Sequence, residues 1–257
     1  MMLPNTCVYV GPSDSGVALP ITWTKEPPIR AGDLDLLDST IKTVFIVDGL
    51  FGSQIALTVT EIRNAINRGV TIYGGVSLGA LRAAECHPLG MRGIGCIAQS
   101  VADGSITEDA DLSIAMKPDG ISTTIPYVNI RFLCYLLYQR GFRSNILRSF
   151  LAKTRKVHFS IRDSTIVRQI AAELFSDIEP LTISELFTPA GMNEWDLKRI
   201  DYSWCVNSLS TGDPTCVPYT SPIPTTYSAL LNDTDLLLIP MKAHPEQNEL
   251  LKSDTQD

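Results

Sequence analysis

Gly75-Val76-Ser77-Leu78-Gly79 sets a serine between two glycines, where the apolar run Val70-Thr71-Ile72-Tyr73 gives way to the Ala- and Leu-rich stretch from Leu78 to Cys86. A strand turning sharply into a helix holds a hydroxyl above the sheet edge, beside the first free amides of the helix. That is the setting of a nucleophile elbow. Gly75 and Gly79 allow the tight turn and close helix-on-strand packing, and the amides at the helix start can stabilise an oxyanion. Ser77 is therefore the candidate nucleophile. The same pentapeptide equally suits a serine that only caps the following helix.

Asp48-Gly49 closes the run Val44-Phe45-Ile46-Val47. If the strands ending at Val47 and Tyr73 are neighbours, a carboxylate and a flexible backbone N–H arrive at the same sheet edge as Ser77. Glu61, Arg82 and Glu85 fall on the flanking helices, and Arg82 and Glu85 have the i,i+3 spacing of a surface ion pair. A Ser-His-Asp triad is not supported. Only about three strands precede Ser77, His87 follows it too closely to fold back, and His158 sits alone beside a basic helix. Asp103, Glu108, Asp109 and Asp111 lack calcium-loop spacing and suit a helix start, so no metal is expected. Gly74 to Gly79 has neither Gly-x-Gly-x-x-Gly nor a P-loop lysine, which leaves a nucleotide site as the weaker alternative and no cofactor as the expectation.

The elements that must position these groups alternate. Cys7-Val8-Tyr9-Val10 is a buried strand stopped at Gly11-Pro12-Ser13. The second strand, a helix from Ile55 to Asn67, the third strand and the Leu78 to Cys86 helix follow. This order implies α/β architecture, a mostly parallel sheet with sites at the carboxyl ends of its strands. Beyond about residue 107 the pattern becomes largely helical: Glu108 to Met116, Val128 to Gln139, Ser144 to Lys156 and Asp163 to Phe175, with Asp163 as an N-cap. Thr182 with Glu185 and then Asn193 mark two further helix starts, the second carrying Leu197, Ile200 and Trp204 on one face. The expected division is a core α/β domain over 1–126, a helical extension packed on it over 127–245, and a disordered tail over 246–257.

Of the 257 residues 44% are hydrophobic, the net charge is -7 and the pI is about 5.0, so a large core is affordable and no basic field exists to attract nucleic acid or anionic lipid. The six cysteines are scattered without a CxxC pair. With no signal-peptide pattern and no apolar stretch of spanning length, the expectation is a cytoplasmic protein away from membranes. Arg140, Arg143, Arg148, Lys153, Arg155 and Lys156 form a basic run without an acid, which suits a solvated helix face or a docking surface.

The strings Val8-Tyr9-Val10-Gly11-Pro12-Ser13, Ile46-Val47-Asp48-Gly49-Leu50-Phe51, Ser77-Leu78-Gly79-Ala80-Leu81-Arg82-Ala83-Ala84-Glu85 and Gly90-Met91-Arg92-Gly93 together resemble the core domain of the TfuA-like family, over about residues 7–131. The resemblance implies an accessory role beside a YcaO-type enzyme in peptide backbone thioamidation. Sulfide would be released by hydrolysis of a thiocarboxylated ThiS-like sulfur carrier, with the peptide substrate reached through the YcaO partner. It also implies a serine paired with a lysine, Ser77 matching the serine, and Asp48, Gly49, Glu61, Gly75, Gly79, Arg82 and Glu85 around it as binding residues. Family members often carry His-Lys-Glu where this chain has Val59-Thr60-Glu61. Lys198, in the later family-like string Leu197-Lys198-Arg199-Ile200-Asp201, is then the lysine to consider. The alternative is a non-catalytic partner that docks the YcaO enzyme and its peptide.

Overall fold

The computed structural model describes residues 3, 5–50, 56–117, 120–175, 180–212, 214 and 216. The expected tail at 246–257 lies outside these. The described residues form two compact units, one comprising the chain up to Thr107 together with the segment from Lys198 onward, the other Glu108–Leu197.

The first unit is built on a parallel sheet of β1 (Thr6–Tyr9), β2 (Thr24–Glu26), β3 (Thr43–Ile46), β4 (Thr71–Gly74) and β5 (Arg92–Gly93), in the order β2-β1-β3-β4-β5. Strands β1, β3 and β4 follow the apolar runs of the sequence. Strand β2 is Thr24-Lys25-Glu26, fully exposed, and β5 is two residues long. Neither carries an apolar signal, since backbone pairing to β1 and β4 alone makes them strands. Helices α1 (Val59–Asn67) and α2 (Leu78–Cys86) follow β3 and β4. Cys7, Tyr9, Val44, Ile46 and Ile72 share one apolar cluster with Ile62, Leu78 and Ala83. The alternate residue Phe45 instead stacks on Tyr202 of α9 (Leu197–Ser210), with centroids 6.4 Å apart, a contact worth about 1 kcal/mol beyond burial. Helix α3 (Cys96–Ala102) follows β5 and carries no sequence-level capping residue of its own; its N-cap is Gly95.

The start of α1 is a reciprocal cap. Thr58 Oγ1 accepts from the Glu61 amide at 3.2 Å, while Glu61 Oε2 accepts from the Thr58 amide at 3.1 Å. The expected helix start at Ile55 lies outside the described residues.

The second unit contains α4 (Tyr127–Gln139), α5 (Ser144–Arg155), α6 (Ser164–Leu174), α7 (Pro180–Leu186) and α8 (Pro189–Trp195). Asp163 caps α6 as expected, accepting from the Ile166 amide at 2.9 Å. Three expectations need correction. Residues 108–116 contain only a 3-10 turn at Asp109–Asp111, because Ala115 and Met116 are drawn into pairing with Ser122–Thr124: the Ala115 amide donates to Thr124 Oγ1 at 2.7 Å and Met116 bridges Ser122. Thr182 lies inside α7, which begins at Pro180. Asn193 lies inside α8, whose cap is Thr188 with Pro189 preset for the first turn. Much of the basic run is consumed within this unit. Lys153 pairs with Glu173 at 3.0 Å, Arg140 with Glu194 at 3.8 Å, and Arg155 with Glu108 and Asp111 at 3.1 and 3.4 Å. No helix among the described residues is long and apolar enough to cross a membrane.

The approach of α2 to β3 depends on a missing side chain. A Cβ on Gly79 would lie 1.8 Å from the Ile46 carbonyl oxygen, whereas one on Gly16 would meet nothing within 4 Å and strain only a φ of 80°. Gly79→Ala should therefore destabilise the protein by about 3 kcal/mol or more and Gly16→Ala by about 1 kcal/mol, as read by denaturant unfolding.

Candidate functional site

The turn carrying Ser77 is tighter than its glycines alone require. Val76 adopts φ 67°, a genuine outlier for a β-branched residue, and the Ser77 amide closes back on the Gly75 carbonyl at 2.8 Å. This is a γ-turn of the strained positive-φ kind, costing on the order of 1–3 kcal/mol. The surroundings enforce it from both ends. The Gly75 amide donates to Ile46 O at 3.1 Å, the Gly79 amide to Val47 O at 3.1 Å, and the Ile94 amide to Gly74 O at 3.0 Å. A Cβ on Gly75 would fall 2.6 Å from Ile94 O.

Ser77 precedes α2 at the N-cap position, yet its side chain makes no capping bond. Its Oγ instead accepts from Lys198 Nζ at 2.8 Å, across 121 residues of sequence. Lys198 Nζ also stands 3.9 Å from Asp48 Oδ1. The carboxylate is itself held by three donors: the Gly11 and Ser13 amides at 2.9 Å on Oδ2, and the Ser13 hydroxyl at 2.7 Å on Oδ1. Adjacency of β3 and β4 brings Asp48 and Ser77 to one sheet end, as their parallel pairing up to Ile46 and Gly74 requires. All three side chains are buried: Ser77 is 3% exposed, Asp48 4% and Lys198 4%. This corrects the expectation of a hydroxyl standing open at the sheet rim.

Helix α9 supplies the lysine, and a second anchor on the same face fixes that helix. Asp201, fully buried and three residues beyond Lys198, accepts from the Cys96 amide at 2.8 Å and the Ile97 amide at 3.2 Å. It thereby caps α3, whose own Gly95 has no side chain to offer. Cys205 Sγ adds a contact to Ile94 O at 3.6 Å, and Ser203 Oγ donates to Ser15 Oγ at 2.6 Å. Burial pushes the Cys96 and Cys205 thiols well up, so they stay neutral and take no nucleophilic part.

Oxyanion donors must come from what the turn leaves over. The amides of Ser77, Gly79, Ala80 and Leu81 are committed to carbonyls. Those of Leu78 and Gly49 have no acceptor among the described residues, and Gly49 packs so closely on Leu78 that a Cβ would lie 2.1 Å from Leu78 Cδ2. The amide following the nucleophile is the one a strand-turn-helix elbow uses for this purpose.

The remaining sequence candidates sit elsewhere. Glu61 is buried in its cap and accepts from the Gly32 amide at 2.5 Å. Arg82 donates to Leu57 O at 3.1 Å and to Glu85 at 2.5 Å, the pair its spacing anticipated. None of these three hydrogen bonds to Ser77, Asp48 or Lys198. Val59 and Thr60 are exposed on α1. His87 and His158 bond to Ala84 and Ser160, and His244 lies outside the described residues. No group of His, Cys, Asp and Glu among the described residues suits a metal. Sequence reasoning gave no role to Ser13 or Asp201. The only signal for Asp201 was its i,i+3 spacing from Lys198.

Residues 48–163 match the model of the TfuA-like protein family. No curated protein matches the chain.

The seating of Lys198 depends on Asp201. Asp201→Ala should destabilise the protein by about 2–3 kcal/mol in denaturant unfolding, because it leaves two buried amides unpaired at the start of α3.

Proposed function

We propose, from the premise that the chain is a TfuA-like protein over residues 48–163, that it is an accessory of a YcaO-type system for peptide backbone thioamidation and supplies that system with sulfide. The sulfide comes from a thiocarboxylated ThiS-like carrier by hydrolysis at Ser77. One observation carries the proposal: Lys198 Nζ within 2.8 Å of Ser77 Oγ, in a chain that lacks the family's other lysine.

The chemistry balances with these groups alone. Neutral Lys198 takes the hydroxyl proton as Ser77 Oγ attacks the thiocarboxylate carbon, and the oxyanion meets the amide of Leu78. Collapse breaks the C–S bond, and hydrosulfide leaves with the proton returned from Lys198. Water then attacks the Ser77 ester with the same amine as base, releasing a carboxylate and restoring the hydroxyl. Asp48, anchored by Gly11 and Ser13, holds the amine in place.

The burial of all three side chains favours a second reading, a non-catalytic partner that docks the YcaO enzyme and its peptide, in which Lys198, Asp48 and Ser77 only lock α9 to the sheet. Incubation with the thiocarboxylated carrier separates the two. Under hydrolysis, Ser77→Ala and Lys198→Met each lower sulfide release by at least about a hundredfold while retaining the YcaO enzyme in a pull-down. Equal rates for wild type and Ser77→Ala, with peptide modification intact, would leave docking as the function.

A further inference from the structure

Beside β2 the first unit holds a half-open cavity of about 650 Å³, within the range of ligand sites and separate from the Ser77 cluster. Its floor is the buried face of β1, Cys7 and Tyr9; Thr24 and Glu26 of β2 form one side, and the segment carrying Asp33, Leu36 and Asp38 closes the other. Burial pushes both the Cys7 thiol and the Tyr9 phenol up. The floor is therefore a neutral thiol and an aromatic hydroxyl, suited to contact rather than to covalent chemistry.

The walls are charged, and unequally. Glu26, Asp33 and Asp38 face one cation, Arg30, which is already tied to Asp33 at 3.5 Å. The Glu26 carboxylate has no hydrogen-bond or ion-pair partner among the described residues. The Thr40 hydroxyl and amide hold the Asp38 carboxyl below its usual range, so it stays ionised. The cavity thus favours a positive charge, and with no metal-binding grouping among the described residues that charge belongs to an organic cation. Leu36, 84% exposed at the same cavity, offers an apolar contact that nothing in the described structure covers.

Strand β2 says what carries the cation. It pairs with β1 on one side and has no neighbour on the other among the described residues. Since the Glu26 carbonyl bonds inward to the Val10 amide, alternation turns the N–H and C=O of Lys25 outward. An extended segment can add there as a further strand, dropping alternate side chains into the cavity next to Thr24 and Glu26. We infer that this cavity and the free edge of β2 bind an extended peptide bearing basic side chains.

The inference is independent of hydrolysis at Ser77. Calorimetric titration with acetyl-Leu-Lys-Val-Lys-Leu-amide, and with the same peptide carrying Glu for Lys, tests it on the full chain. Wild type and Ser77→Ala should bind the lysine peptide equally, at least about tenfold more tightly than the glutamate peptide. Glu26→Gln and Asp38→Asn should each weaken it about threefold or more with the thermal melt unchanged, and amide exchange at Thr24–Glu26 should slow on binding. No binding, equal affinity for the two peptides, or full affinity in both variants would overturn it.

Discussion

The first unit is organised around one buried amine. Lys198 is carried 121 residues downstream of Ser77 and set between its hydroxyl and the carboxylate of Asp48, all with almost no access to water. An isolated ammonium in that position would be prohibitively costly, so the arrangement exists only because the opposing carboxylate is itself fully supplied with donors. The Gly11-Pro12-Ser13 loop, the end of β3, the turn after β4 and the start of α9 must therefore be in register together. None of them can adjust alone.

The strain at Val76 belongs to the same constraint. With Gly79 pressed on the Ile46 carbonyl and Gly75 on Ile94, the backbone between has no relaxed route, and the left-handed conformation falls on the residue before the serine. Ser77 itself keeps a negative φ of -128° and is free of capping duty, so its oxygen remains available to the amine.

What could be read from the amino acids divides by range. Strands β1, β3 and β4, helix α2 and the cap at Asp163 follow from local pattern, because apolar periodicity and a carboxylate three residues ahead of an amide are properties of a short window. The Ser77 turn was legible for the same reason. Strands β2 and β5 were not, since exposed Thr24-Lys25-Glu26 and the pair Arg92-Gly93 are strands only through their neighbours. Residues 108–116 looked helical by composition but were claimed by pairing with Ser122–Thr124. Lys198 could be named only from resemblance, and Asp201 showed nothing beyond its spacing from Lys198, because a buried charge on a helix declares itself only when its distant partners are in place. The burial of the site was hidden too, as nothing in the Ser77 pentapeptide encodes what lies over it.

The separation in sequence between the serine and its amine has a consequence for how the protein comes into being. Phe45, Asp48 and Ser77 are all synthesised before residue 80, while the lysine, the carboxylate that caps α3 and the tyrosine that stacks on Phe45 all emerge from the ribosome after residue 197. The nascent chain must carry an incomplete sheet face, with Phe45 uncovered and the amides of Cys96 and Ile97 unmet, through the translation of more than a hundred intervening residues. Closure over such distances is slow, and any product terminated before α9 lacks the amine.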